Sequence, residues 1–262
     1  MYEAPVEVDE RAASAPTLRA RVLGGDVVYG GWCLVPSPFL AEVWSVAGFD
    51  WLCIDMQHGL IGYETMLAML QAVGRRTPVL VRVPWNEPDE IMRPLDAGAT
   101  GVIVPMVNTA EEAAAAVGAC RDAPAGFRSW GPSRVSLGDP DYTPTSGNER
   151  TLCVIMVETV EAVENVEEIV AVPGVDAILI GPYDLALSRS GALETPGRTP
   201  EDRELIERVL SVCADAGIAV ATSVGGREDA IAWRDDGVRM IGVSDLGVVG
   251  AAAAETLATL RG

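Results

Sequence analysis

Apolar residues come along this chain in blocks rather than in strict alternation. Continuous apolar runs rich in β-branched residues lie near 27–35, 51–57, 78–83, 101–107, 152–158, 177–182, 218–224 and 240–245. Each has strand length, and none approaches the 18 or so residues of a membrane span. Between them lie helix-like stretches near 38–48, 62–75, 86–97, 109–120, 160–171, 201–216, 227–236 and 247–260. Strands without an inside–outside alternation are covered on both faces. Eight such units in roughly 250 residues predict an α/β protein of the (β/α)8 TIM-barrel type. A doubly wound open sheet is the alternative, weakened because no Gly-x-Gly-x-x-Gly follows the first strand.

Local punctuation supports the boundaries. Gly98, Gly217 and Gly237 follow helix-like stretches, where a left-handed C-cap is wanted. Pro173-Gly174 breaks the chain before the sixth strand. Asn108 is the expected N-cap of a helix whose first turn carries Glu111 and Glu112. Residues 15–24 predict a short opening helix stopped by Gly24 and Gly25. Residues 1–14 are acidic, lack the basic-then-apolar order of a signal peptide, and read as a mobile tail before one barrel domain spanning 15–262. The one long irregular stretch is 121–150. The last helix contains Ala251–Ala254 and has small residues on more than one face. It suits close packing on its own barrel or exchange onto another subunit.

Composition narrows the chemistry. The net charge of −19 argues against nucleic acid or an anionic membrane as partner. The five cysteines have no Cys-x-x-Cys spacing, and Cys33, Cys53 and Cys153 lie within strand-like runs. Buried free thiols in a reducing cytoplasm follow, with no structural zinc site. All 19 basic residues are arginine. A Schiff base needs a lysine amine, so PLP enzymes and lysine-dependent aldolases are excluded. Carbonyl chemistry in this chain would require another electrophile, usually a metal ion.

In a barrel of this kind reactive groups collect at the C-terminal ends of the strands. The stretch Trp51–Gly59 runs from an apolar strand into Asp55, Gln57 and His58, the last being the only histidine. The third strand ends with Arg82, the fifth with Glu158, the sixth with Asp184 and the eighth with Asp245. An arginine in an apolar run must be paired or functional. Each carboxylate alone reads equally as a helix cap or an arginine partner. As a set they repel unless a cation sits among them, and all-oxygen ligation suits Mg²⁺ or Mn²⁺ better than zinc. His58 is the one side chain whose ordinary pKa suits proton abstraction near neutral pH. Backbone N–H groups near Tyr183 and Asp184, at the start of a helix, suit a substrate carboxylate.

Asp55-Met-Gln-His58, Val81-Arg-Val83, Asp96-Ala-Gly-Ala99, Pro105-Met106, Glu158-Thr159 and Gly181-Pro-Tyr-Asp184, in this order from about residue 25 onward, resemble the HpcH/HpaI-type class II pyruvate aldolases. The resemblance implies a barrel that uses Mg²⁺, Mn²⁺ or Co²⁺ to cleave a 4-hydroxy-2-oxo acid into pyruvate, or a close 2-oxo acid, and an aldehyde. It implies Glu158 and Asp184 as metal ligands, Arg82 at the enolate oxygen, His58 as base assisted by Asp96, and Gly181, Pro182 and Tyr183 around the substrate. Trp32, Trp85, Trp130 and Tyr142 are candidates for the aldehyde pocket, with core or interface packing as the alternative for each. Asp55, Gln57 and Met156 stand just behind the ligands. The family commonly has Glu at the position of Gln57 and Gln at that of Met156, so both are departures that bear on rate and metal preference. Decarboxylation or biosynthetic C–C bond formation on the same site is the alternative reaction, and a non-catalytic metabolite-binding barrel the third reading. Asp96 lies about ten residues into its helix, roughly 15 Å below the face that carries His58. A His58–Asp96 pair therefore requires Asp96 from a neighbouring subunit of a homo-oligomer, a trimer or a hexamer. Within one chain, Asp96 would instead cap the turn into the fourth strand.

Overall fold

The structure, a computed structural model, describes residues 16–192 and 199–262. The tail expected over residues 1–14 lies outside them. The strands are β1 (Val28–Cys33), β2 (Trp51–Asp55), β3 (Val79–Arg82), β4 (Gly101–Val104), β5 (Leu152–Val157), β6 (Ala177–Ile180), β7 (Ala219–Val224) and β8 (Met240–Ser244). They are parallel and close in sequential order, with β8 pairing back onto β1. That closure makes the molecule a (β/α)8 barrel and removes the open-sheet alternative.

Two apolar layers explain the unbroken hydrophobic runs. Residues such as Trp51, Cys53, Leu80, Leu152, Val154 and Leu179 fill the barrel interior. Their neighbours in sequence, such as Leu52, Ile54, Val81, Cys153 and Ile178, pack outward against the helices. The barrel tolerates two large rings on β1 and β2 because β8 is thin there: a Cβ on Gly242 would lie 2.7 Å from Cε3 of Trp32. The opening helix Leu18–Leu23 turns Leu18 and Val22 into the interior cluster and plugs the N-terminal end. Arg19 there donates to buried Asp176 at 3.0 and 2.7 Å, and Arg121 adds a third contact at 3.0 Å. A buried carboxylate is tolerated when paired in this way. All five cysteines are free and buried.

The predicted glycine stops are in place, with positive φ at Gly98, Gly217 and Gly237. Four expectations need correction. The helix after β4 begins at Ala110 with Thr109 as its N-cap, in a reciprocal box with Glu112; Asn108 precedes the cap and gives its N–H to Glu112 Oε2 at 2.6 Å. The stretch 121–150 is not wholly irregular but holds two short helices, Val135–Gly138 and Pro144–Arg150, the second capped by Thr143 with Pro144 at its first position. The helix expected over 160–171 is two, Val160–Glu164 and Val166–Val170, parted at Asn165, whose side chain donates to Asn108 O at 2.9 Å. After β6 the helix expected to start near Tyr183 is a separate element, Pro182–Ser190, which precedes the long Pro200–Ala216 and adds to the one helix-like stretch read there, 201–216. No helix among the described residues is long and apolar enough to cross a membrane.

Candidate active site

β2 and β3 are registered so that Asp55 stands opposite Arg82, both at the C-terminal rim. Asp55 is fully buried and gathers donors from β1, from β3 and from the loop that follows β2. Arg82 gives Nε to Oδ1 at 2.9 Å and Nη2 to Oδ2. Trp32 on β1 gives Nε1 to Oδ2 at 3.1 Å. The backbone N–H groups of Gln57 and His58 bond Oδ1 at 2.9 and 3.1 Å. Burial alone would push the Asp55 carboxyl up, but Arg82 first, then Trp32 and the His58 N–H, hold it below its ordinary value. The Arg82 guanidinium also lies 5.1 Å from the centroid of the Trp32 ring. Its Nη1 makes no hydrogen bond among the described residues.

Glu158, immediately after β5, is 1% exposed. One carboxylate oxygen, Oε1, accepts the N–H of Met106 at 2.8 Å. Met106 is the one non-glycine residue with positive φ among those described, and its left-handed backbone supplies that N–H. The other oxygen, Oε2, is buried with no hydrogen-bond donor. Gly181 makes room for it, since a Cβ there would lie 2.5 Å from Oε2. Burial, with the like charge of Asp184 added, raises the Glu158 pKa to about 7. Asp184 sits in the first turn of helix Pro182–Ser190, whose N-cap Gly181 provides no side-chain cap. The first N–H groups of that helix are thus open to an anion.

Two carboxylates, one with an orphaned buried oxygen, fit a divalent cation. No group of three His, Cys, Asp or Glu side chains converges among the described residues. A hard ion such as Mg²⁺ needs only one or two carboxylates, with water and substrate oxygens completing its shell. The raised Glu158 gives this a pH signature. A raised carboxyl favours the metal-free fold below its ordinary value of 4.5, and that contribution is lost as pH climbs through about 7. A cation must displace the same proton. Calorimetric titration with Mn²⁺ should therefore show affinity falling below pH 7, by up to about tenfold per unit for one displaced proton, with Glu158→Gln flattening the slope.

The remaining candidates divide. His58 lies on the rim loop after β2 with its side chain exposed; only its backbone is tied down. Gln57 is half-buried, with Oε1 unpartnered. Met156 lies two residues before Glu158, on the same strand face, within the apolar interior. Tyr183 and Trp85 are exposed at the rim. Trp32 is 2% exposed, bonds Asp55 and lies against the Arg82 guanidinium. Trp130 and Tyr142 stack on each other at 5.9 Å, and the adjacent Gly131 lies against Asp96, so they are not at the strand ends. Asp96 is paired with Arg128 at 2.6 Å rather than capping a turn. Burial raises its pKa despite that partner. Asp245 is structural: its oxygens accept the N–H groups of Leu34, Val35 and Leu246 and pin β8 to the loop after β1. Sequence reading missed Met106 as a donor, although Pro105-Met106 was visible as a motif.

Comparison with known proteins agrees with this geometry. The family model described as HpcH/HpaI aldolase/citrate lyase matches residues 29–252. A 2-dehydro-3,6-dideoxy-6-sulfogluconate aldolase of Pseudomonas putida is 35% identical over 238 residues, 89% of this chain and 92% of that protein. A hydroxypyruvate/pyruvate aldolase of Chromohalobacter salexigens is 35% identical, covering 92% and 96%. A solved family protein from Burkholderia cenocepacia superposes with a TM-score of 0.88 at 32% identity, over 94% of this chain and 99% of that one. With a closed barrel, a paired carboxylate site at its C-terminal rim and these matches along nearly its whole length, the chain belongs to the HpcH/HpaI aldolase/citrate lyase family.

Proposed function

We propose that this protein is a metal-dependent carbon–carbon lyase that reversibly cleaves a 4-hydroxy-2-oxo acid to pyruvate, or a close 2-oxo acid, and an aldehyde. The observation that carries the reading is the buried, unpartnered Oε2 of Glu158 beside Asp184, within electrostatic reach of Arg82. A bound Mg²⁺, Mn²⁺ or Co²⁺ supplies Lewis acidity toward the 2-oxo group. Glu158 and Asp184 would hold it. The open N–H groups of Tyr183 and Asp184 receive the substrate carboxylate, and Gly181 and Pro182 keep the backbone close to it. Arg82 presents fixed charge to the oxygen on which negative charge develops. His58 takes the proton of the 4-hydroxyl as the carbon–carbon bond breaks and returns a proton in the synthetic direction. The test is exchange of pyruvate methyl protons with deuterium oxide. Exchange that depends on Mn²⁺ and stops with EDTA supports the lyase, and a screen of aldehydes then finds the second substrate. Absence of exchange points to a non-catalytic barrel. A His58→Ala protein with full turnover points to decarboxylation.

We further infer a homo-oligomer, trimer or hexamer, with shared sites in the cytoplasm. Helix Asp245–Arg261 is exposed from Val248 to its end, including Val249, Leu257 and Leu260. Beside it an open groove lined by Tyr29, Ala230, Ile231 and Val243 is left uncovered. Both are accounted for if the helix is exchanged with a neighbour. The half-exposed Asp96 then has a route to another subunit's His58. Mixing inactive His58→Ala with inactive Asp96→Asn protein should restore part of the activity after subunit exchange. An active monomer in sedimentation, or mixtures as inactive as their parents, would overturn the shared pair.

A further inference from the structure

We propose that Trp32 is a positioning residue that clamps Arg82 for catalysis, a role that rests on the lyase reading above. It holds the arginine in two ways. Its Nε1–H bonds Asp55 Oδ2 at 3.1 Å and so fixes the carboxylate that grips the guanidinium edge. Its ring lies under the guanidinium, 5.1 Å from Cζ, and closes the out-of-plane direction. The edge contact leaves Nη1 outside the bonds to Asp55, and the ring limits rocking of the guanidinium out of its plane. Packing in turn holds Trp32: Gly242 leaves the space that its six-membered ring fills, and Trp51 meets it edge-on at 6.4 Å between centroids. Asp55 accepts the N–H groups of Gln57 and His58 too, so the same clamp sets the loop that carries the base. An oxyanion donor is effective when its orientation is fixed before reaction, and a small misplacement can cost as much as about 10²-fold. Among the described residues the Arg82 guanidinium hydrogen-bonds Asp55 alone.

Trp32→Phe keeps a six-membered aromatic ring and removes the N–H together with the pyrrole part of the indole. It should lower kcat by about tenfold or more with KM for pyruvate little changed, while the space left in the packed interior lowers the melting temperature alike in wild-type and Arg82→Lys backgrounds. In an Arg82→Lys background the same change should cost less than about twofold, because residues that act as one unit are not additive. Equal losses in both backgrounds, or a change confined to the aldehyde KM, would overturn the clamp and make Trp32 a packing or lining residue. A second readout needs no turnover. In metal-free protein labelled with ¹⁵N-arginine, the Arg82 Nε–H signal, assigned by its absence from Arg82→Lys, should exchange with solvent about tenfold faster in Trp32→Phe. Unchanged exchange overturns the proposal. If the wild-type protein shows no metal-dependent pyruvate exchange, the lyase reading fails while this measurement still decides the clamp.

Discussion

Replacing Glu158 with Gln, or Asp184 with Asn, is expected to abolish metal-supported turnover, by roughly 10³-fold or more. The estimate follows from the several kcal/mol that a Lewis acid contributes to a developing charge, at about 1.4 kcal/mol per factor of ten. Both changes keep shape and remove charge. Glu158 sits in a space cut to fit it, between the Met106 N–H and Gly181, so an amide can be housed there without a cavity. Its Oε1 contact demands an acceptor, which Gln still offers. What Gln cannot offer is the anionic Oε2 that now has no donor. The fold should gain rather than lose. A buried carboxylate with a like-charged neighbour and no cation is unfavourable above its ordinary pKa, so metal-free Glu158→Gln should melt no lower than wild type at pH 8. The pair of results is diagnostic: activity lost with stability kept locates the effect in metal binding, and calorimetry with Mn²⁺ should show the heat of binding gone. Full activity of either variant after EDTA treatment would remove the metal from the mechanism.

The barrel was legible because its signal is repeated. Each apolar run owes its length to two buried faces, and each glycine stop sits at a helix end where positive φ is required. The errors occur where one residue depends on another far along the chain. Asp245 reads as one more strand-end carboxylate, yet its donors Leu34 and Val35 come from the other end of the sequence. The contacts of Trp32 leave no trace in the sequence because its partners, Asp55 and Arg82, are brought to it only when β1, β2 and β3 pair. The start of helix Pro182–Ser190 was legible at Tyr183 and Asp184, where proline at the first helical position fits, but its separation from the long Pro200–Ala216 helix was not. The break at Asn165 was not legible either, since the bond from its side chain to Asn108 O is a tertiary contact without local trace. The strand-end positions of Asp55, Arg82 and Glu158 were readable, but the hub was not. Five hydrogen bonds converge on Asp55 from donors at four positions, and only the neighbouring Gln57 and His58 are near it in sequence.

Arg82→Lys is expected to lower kcat by about 10²- to 10³-fold, the scale seen when a preorganised oxyanion donor is lost, while KM for pyruvate changes little. Lysine is the informative replacement. Arg82→Ala would leave Asp55, fully buried, without its countercharge, and breaking a buried pair in this way costs about 3–5 kcal/mol. Loss of activity there would report the fold as much as the chemistry. Lysine keeps the charge but has one nitrogen where arginine has three. Arg82 uses Nε and Nη2 on Asp55 and still has Nη1 for the substrate oxygen. A lysine ammonium that stays on Asp55 cannot also reach a second oxygen in the plane that the guanidinium defines. Ground-state binding should survive, because the carboxylate end of the substrate is assigned to the open N–H groups before Asp184 rather than to Arg82. The exchange of pyruvate methyl protons should fall in step with aldol cleavage, since both pass through the same developing negative charge. A rise in KM at unchanged kcat would instead mean that Arg82 holds substrate and transition state equally and contributes only to binding.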